Sequence, residues 1–263
     1  MNILVTGGSG FIGSALIEYI FSTTKYNILN VDKLTYASYH SFSKKITTNK
    51  RYTFKKLDIC SNKMSNLLKN FQPDILLHMA AESHVDNSIN SPNDFINTNI
   101  LGTYNLLKTT KEYLGSESKK KSSFKFINFS TDEVYGDLMD QKIRKFSENT
   151  RYNPSSPYSA SKASADHLVN AWQRTYDLPA ITINSSNNYG PRQHHEKLIP
   201  LTIKNAISGK KIPIYGNGLQ KRDWLYVEDC SRAILKIINN GRVGQCYNIG
   251  SRNIINNIDL VKK

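Results

Sequence analysis

Cysteine, long apolar runs and acidic residues are all in short supply in this chain. Its 263 residues include three cysteines, Cys60, Cys230 and Cys246, too few and too far apart for a CxxC pair or a disulfide framework. A reducing, cytoplasmic setting is the expectation. Apolar runs stay short, as at Ile75-Leu76-Leu77, which excludes a membrane-crossing helix. The opening residues, Met1-Asn2-Ile3-Leu4-Val5-Thr6-Gly7, reach glycine too early for the apolar stretch of a secretion signal. His194 and His195 are adjacent but have no third ligand at metal-binding spacing, so no metal is expected. Acid is the minority charge, 21 Asp and Glu against 35 Lys and Arg, a balance of +14. Such a balance favours anionic partners. The basic residues are dispersed, as at Lys44-Lys45 and Lys55-Lys56, without zinc-finger or RNP-like patterns. A specific nucleic-acid partner is therefore not expected, whereas a nucleotide ligand is.

What is present points to a packed α/β protein. Hydrophobic residues make up 39% and aromatics 10%, ample for one large domain or two small ones. Short apolar runs alternate with helical patterns, the signature of βαβ units around a parallel sheet. The pattern predicts strands at residues 3–5, 27–31, 52–57, 74–78, 124–129 and 180–184, the last running into Asn187-Asn188-Tyr189. Helices are predicted over 11–21 and from Ser156-Pro157 to about Tyr176, where Ser before Pro is a good start signal. Residues 116–123 read as a solvated low-complexity loop. From Pro191 the alternation breaks down. The expectation is a Rossmann-type, doubly wound parallel sheet in residues 1–190, with a smaller, C-terminally truncated substrate lobe in residues 191–263, parts of which return to the sheet. Ligands of such sheets sit at the carboxyl edge.

At that edge, Gly7, Gly10 and Gly13 follow the first strand and open the first helix. Glycines there permit the tight turn and bring backbone N–H groups to a pyrophosphate. Asp32 lies 19 residues past Gly13, at the end of the second strand. A carboxylate there accepts from a ribose 2′-OH and repels a 2′-phosphate, so NAD is expected rather than NADP. Lys33 weakens that preference slightly, and Asp58-Ile59 suits the adenine end, although Asp58 is also an ordinary strand-end residue. Further on, Tyr158-Ser159-Ala160-Ser161-Lys162 puts a phenol and an ammonium on one helix face. The cation is expected to lower the phenol's pKa.

The glycine loop, Asp32 and the Tyr158–Lys162 pair together resemble the extended short-chain dehydrogenase/reductase family over nearly the whole chain. Narrower segments are similar to its sugar-nucleotide 4,6-dehydratase branch: residues 32–37, 80–86, 130–136, 186–191, 196–200 and 222–227. Within them Thr131-Asp132-Glu133 discriminates, because the related 4-epimerases carry small or hydroxyl residues at the last two positions. On residue type alone, adjacent loop carboxylates are as readily solvated as catalytic. The resemblance implies dTDP-glucose or a related sugar nucleotide as substrate, NAD as recycled cofactor and a homodimer. It assigns Tyr158 as base at the C4 hydroxyl, Glu133 as base at C5, Asp132 as acid at the C6 hydroxyl, Thr131 as partner of the 4-oxygen and Lys162 as partner of the nicotinamide ribose. Around the cofactor it places Gly7, Gly10, Phe11, Ile12, Gly13, Asp32, Lys33, Leu34, Thr35, Asp58, Ile59, Ala80, Ala81, Ser83, Thr98, Tyr158, Lys162 and Asn188. Around the sugar nucleotide it places Ser83, Thr131, Asn187, Lys197, Leu198, Pro213, Tyr215, Arg222 and Asn257. Lys197 and Arg222 suit a diphosphate chemically, or are surface charge. Asn184 stands where the family usually has arginine, and the chain stops at Lys263 while family members continue, so a fragment or a pared-down lobe is expected.

Overall fold

The computed structural model describes residues 1–39, 42–116, 123–137, 145–214 and 216–263. Most of the predicted low-complexity loop, and Tyr215, lie outside these. Among the described residues ten strands form two sheets: β1 (Asn2–Thr6), β2 (Asn27–Asp32), β3 (Tyr52–Lys56), β4 (Ile75–His78), β5 (Lys125–Thr131), β6 (Ala180–Ser185), β7 (Asn187–Tyr189), β8 (Lys221–Tyr226), β9 (Cys246–Ile249) and β10 (Ile254–Asn256). The helices are α1 (Phe11–Thr23), α2 (Lys44–Thr47), α3 (Lys63–Phe71), α4 (Val85–Asn90), α5 (Pro92–Phe95), α6 (Thr103–Ser116), α7 (Pro157–Tyr176), α8 (Leu198–Ile207), α9 (Val227–Asn240) and α10 (Asn257–Lys262). A π-helical turn, Ile96–Gly102, leads into α6.

The main sheet has seven strands in the order β3-β2-β1-β4-β5-β6-β9, and every pair in it is parallel. Its order reverses between β1 and β4, the crevice where such sheets bind ligands. Each face is covered by helices, which is why the central strands read as continuous apolar runs. One core layer joins Ile3, Val5, Ile28 and Ile183 to Leu16 and Ile20 of α1 and Ile234 of α9. The other sets Leu4, Leu29, Leu76 and Phe126 against Met64, Leu68, Leu106 and Val169.

The six predicted strands all form, with ends moved by one or two residues. The largest shift is at β5, which runs on through Ser130 and Thr131 because these pair with Asn184 and Ser185 of β6. The seventh strand, β9, carries too few residues to show a period. A second, three-stranded sheet has the order β10-β8-β7, its strand β7 following directly from the carboxyl end of β6. α7 begins at the predicted place, where Ser156 and Ser159 form a reciprocal capping box ahead of Pro157.

Candidate functional site

The glycine loop is built by close approach. Gly7 has φ +70°, and a Cβ there would sit 2.6 Å from the Ala80 backbone. A Cβ on Gly13 would collide with the Gly7 carbonyl. Thr6 holds the neighbouring strand end, its hydroxyl 2.9 Å from His78 Nδ1 and accepting the N–H groups of Met79 and Ala80. Gly10 caps α1 without a side chain in the way, leaving the helix end open to an anion. Asp32, at the carboxyl end of β2, accepts the Ser9 N–H at 3.0 Å and the Leu34 N–H at 2.8 Å. Its carboxylate is thereby fixed beside the glycine loop. A glycine loop packed too tightly for a Cβ at Gly7 or Gly13, an open helix end and an anchored ribose-binding carboxylate next to them fit NAD.

Gly7, Gly10, Phe11, Ile12, Gly13, Asp32, Lys33, Thr35, Ile59, Ala80, Ala81, Ser83, Thr98, Tyr158, Lys162 and Lys197 line one continuous cleft. Lys33 bridges its wall, donating to Thr98 at 3.0 Å and pairing with Glu82 at 3.4 Å. Three residues expected at the cofactor lie outside the lining. Leu34 supplies a backbone donor to Asp32 at φ 61°, Asp58 caps the turn by accepting the Cys60 N–H, and Asn188 is buried, donating to Ser185 and Ser186.

The segment after β7 roofs the cleft, with Gln193, His194 and Glu196 added to the lining together with Tyr36 and Ser38. Arg192, at φ 73°, stacks 4.5 Å over the Tyr39 ring and pairs with Glu18 of α1 at 2.6 Å. Tyr36 meets His194 edge-on, and Glu196 lies between His84 and His194 at 3.7 and 3.5 Å. None of these roofing contacts was legible beforehand. Their only trace was aromatic and charged residues in loops that follow strand ends.

The reacting groups converge from three elements. β5 delivers Thr131, whose hydroxyl accepts the Glu133 N–H, and the following helical turn, Asp132–Tyr135, presents both carboxyls. α7 delivers Tyr158 and Lys162, with Thr131 close enough to favour the ionised form of the Tyr158 phenol. Burial pushes Asp132 up to about 7, helped by the Glu133 charge and opposed by Arg222. Burial raises Glu133 as well, but Arg222 and Lys197 favour its ionised form. Both adjacent carboxyls are thus raised by burial and drawn back by Arg222, with Lys197 added on the Glu133 side. The expected depression of the Tyr158 phenol is not found. Burial, with the Glu133 charge next, raises it, while Lys162 donates to the Phe129 carbonyl at 2.8 Å and is itself lowered by burial.

Of the remaining substrate candidates, Lys197 reaches the Ser83 carbonyl at 3.1 Å, and Arg222 acts electrostatically on both carboxyls. Leu198 opens α8, Asn187 opens β7 and Asn257 opens α10, all half-buried, whereas Pro213 is exposed. Asn184 is buried and donates to the Tyr135 hydroxyl at 2.7 Å.

A doubly wound parallel sheet, a glycine loop with its acidic partner and a Tyr–Lys helix facing a strand-end threonine define an NAD-dependent short-chain dehydrogenase/reductase-type enzyme. Comparison with known proteins narrows this class. The profile of the GDP-mannose 4,6 dehydratase family matches residues 4–263. The dTDP-glucose 4,6-dehydratase of Haemophilus influenzae is 55% identical over 265 residues, 100% of this chain and 78% of that protein. A crystal structure of the same enzyme from Bacillus anthracis, in complex with NAD, superposes with TM-score 0.88 at 44% identity, covering 100% of this chain and 79% of that one. The enzyme from Streptomyces venezuelae, also solved with NAD, gives TM-score 0.90 at 35% identity with the same coverage. The chain belongs to the dTDP-glucose 4,6-dehydratase family.

Proposed function

We propose that the protein converts dTDP-glucose to dTDP-4-keto-6-deoxyglucose, and that the residues converging on the cleft carry the steps. The observation that carries this reading is the adjacent Asp132–Glu133 pair at the end of β5, both carboxyls raised by burial, Asp132 to about 7, with Arg222 and Lys197 drawing Glu133 back towards its ionised form. A 4-epimerase needs only redox chemistry at C4, whereas elimination of water needs an acid and a base together.

The glycine loop, Asp32, Lys33, Thr98 and Lys162 hold NAD, which when bound takes a hydride from C4 and returns it to C6. Tyr158 accepts the C4 hydroxyl proton, and Thr131 holds the 4-oxygen. The 4-ketone acidifies C5, where Glu133 removes the proton and gives it back when the hydride is returned to C6. Asp132, retained as an acid by its burial, protonates the departing C6 hydroxyl, and water leaves. Burial, with the Glu133 charge next, holds the Tyr158 phenol high; bound NAD⁺ would supply a positive charge that favours the phenolate. Lys197 and Arg222 supply cations for the diphosphate, with Ser83, Asn187, Leu198 and Asn257 around the nucleotide.

A homodimer in a reducing cytoplasm completes the reading. Tyr104, Trp172 and Tyr176 form a chain of edge-on rings across α6 and α7, and Leu101, Tyr104 and Tyr176 remain 51%, 42% and 40% exposed. That unpartnered face suits a second copy. Among the described residues no helix is long and apolar enough to cross a membrane.

Incubation with dTDP-glucose, with and without added NAD⁺, followed by mass spectrometry, tests the reaction. A product lighter by one water supports it. An unchanged mass with a galactose-configured product by NMR makes the protein an epimerase, and no conversion at all sinks both readings.

A further inference from the structure

Among the described residues, Asp166 is a buried ionisable group that the glycine loop and the carboxyl pair do not explain. Asp166 lies four residues after Lys162 and eight after Tyr158 on α7, so the three share one ridge of the helix. It is 5% exposed. Its carboxyl is turned towards β5, where Oδ1 accepts from Asn128 Nδ2 at 2.7 Å and Oδ2 accepts from Ser130 Oγ at 2.7 Å. Tyr152, from the segment before α7, adds a third donor at 3.1 Å. Lys162 makes the adjacent tie, Nζ to the Phe129 carbonyl. Residues 128, 129 and 130 of β5 are thus each gripped from α7, immediately before the Thr131-Asp132-Glu133 segment.

Burial raises the Asp166 carboxyl, and Lys162 with the three donors that converge on its two oxygens opposes this, an arrangement that suits an ionised, acceptor-only carboxylate. Burial strips Lys162 of its preference for the charged form, and Asp166 is the group that opposes this. The other titratable groups nearby do not replace it. His78 of β4 is pushed down to about 3 by burial, and Cys246 of β9 is pushed up to about 11. The Tyr152 and Tyr158 phenols are both raised by burial, and Asp132 and Glu133 act on Tyr158.

We propose that Asp166 is a positioning residue for the reaction: it clamps α7 to β5 and keeps the Lys162 ammonium charged beside Tyr158. The proposal rests on the roles assigned above to Tyr158 and Lys162. The clamp matters because the C4 base comes from α7 while the C5 base and C6 acid come from the end of β5. A slip of about 1 Å between such elements costs on the order of a hundredfold in rate.

Asp166→Asn tests it. The asparagine has the same shape, and the Ser130 and Tyr152 hydroxyls can turn to accept from its amide, so the charge goes while the hydrogen bonds remain. In protein labelled with ¹³C at lysine Cε, the Lys162 resonance is assigned by its loss in Lys162→Arg and titrated by NMR. Asp166→Asn is expected to lower the Lys162 midpoint by about one pH unit or more. The alkaline limb of kcat moves down with it, at unchanged KM. An unmoved midpoint overturns the proposal. The titration is read without turnover, so a protein that fails to dehydrate the sugar nucleotide sinks the functional reading and leaves this test standing. Should Asp166→Asn not fold, Ser130→Ala and Tyr152→Phe decide, since each removes one donor and weakens the carboxylate's charge. A lowered Lys162 midpoint in either supports the clamp, and an unchanged midpoint in both overturns it.

Discussion

Replacing Asp132 with asparagine separates stability from catalysis at one atom position. Burial and the Glu133 charge raise the Asp132 pKa from 3.8 to about 7. Between those two values the folded protein binds a proton that the unfolded chain has released, so stability falls as pH rises through that window. Each pKa unit is worth about 1.4 kcal/mol, which sets a ceiling of about 4 kcal/mol on the destabilisation above pH 7. Water reaching the cleft reduces this to about 2 kcal/mol. Asp132→Asn keeps the shape and removes the ionisation. The variant is therefore expected to be more stable than the parent at pH 8, by about 4–8 °C in Tm for a chain of this size, and equal to it near pH 4. Its elimination activity should be lost at every pH. Thermal unfolding of cofactor-free protein at pH 4, 6 and 8 reads the effect. A stability difference that does not grow with pH would refute the assignment of Asp132 as the buried acid. In the parent, the acid-dependent step should slow as pH rises through about 7, where Asp132 loses its proton.

Glu133→Gln should still oxidise C4 and stop there, so a single turnover leaves reduced cofactor visible by absorbance; continued release of water would remove Glu133 from the base role. Gly7→Ala forces a Cβ onto the Ala80 backbone at a positive φ, and calorimetry should find NAD binding lost or weakened by at least a hundredfold. Glu18→Gln breaks the half-buried pair with Arg192, worth about 1 kcal/mol. NAD should then leave about fivefold faster in stopped-flow release, and an unchanged rate would show that the roof does not retain the cofactor. Tyr104→Glu places a charge in the exposed ring cluster of α6 and α7, and light scattering should report a monomer if that face pairs two copies.

Local chemistry made much of this protein legible from its sequence. Period and length fixed the parallel strands, because a strand buried on both faces can hold only apolar residues. The glycine spacing, Asp32 and the Tyr158–Lys162 pair were readable because each depends on positions close together along the chain or on a fixed step from a strand end. Ser156-Pro157 marked the start of α7 for the same reason. Tertiary structure decided what distant segments do to one another. The roof over the cleft joins Glu18, Tyr39 and Arg192, which no local pattern connects. β9 entered the main sheet only because β6 offered it an edge. The protonation of the site could not be read either. The i, i+4 spacing led to the expectation of a depressed phenol, but burial and the Glu133 charge raise it, and the same burial raises both Asp132 and Glu133. Desolvation and charge at a distance depend on what surrounds a group in space, and that is set by the packing of β5, α7 and β8 rather than by the order of residues in any one of them.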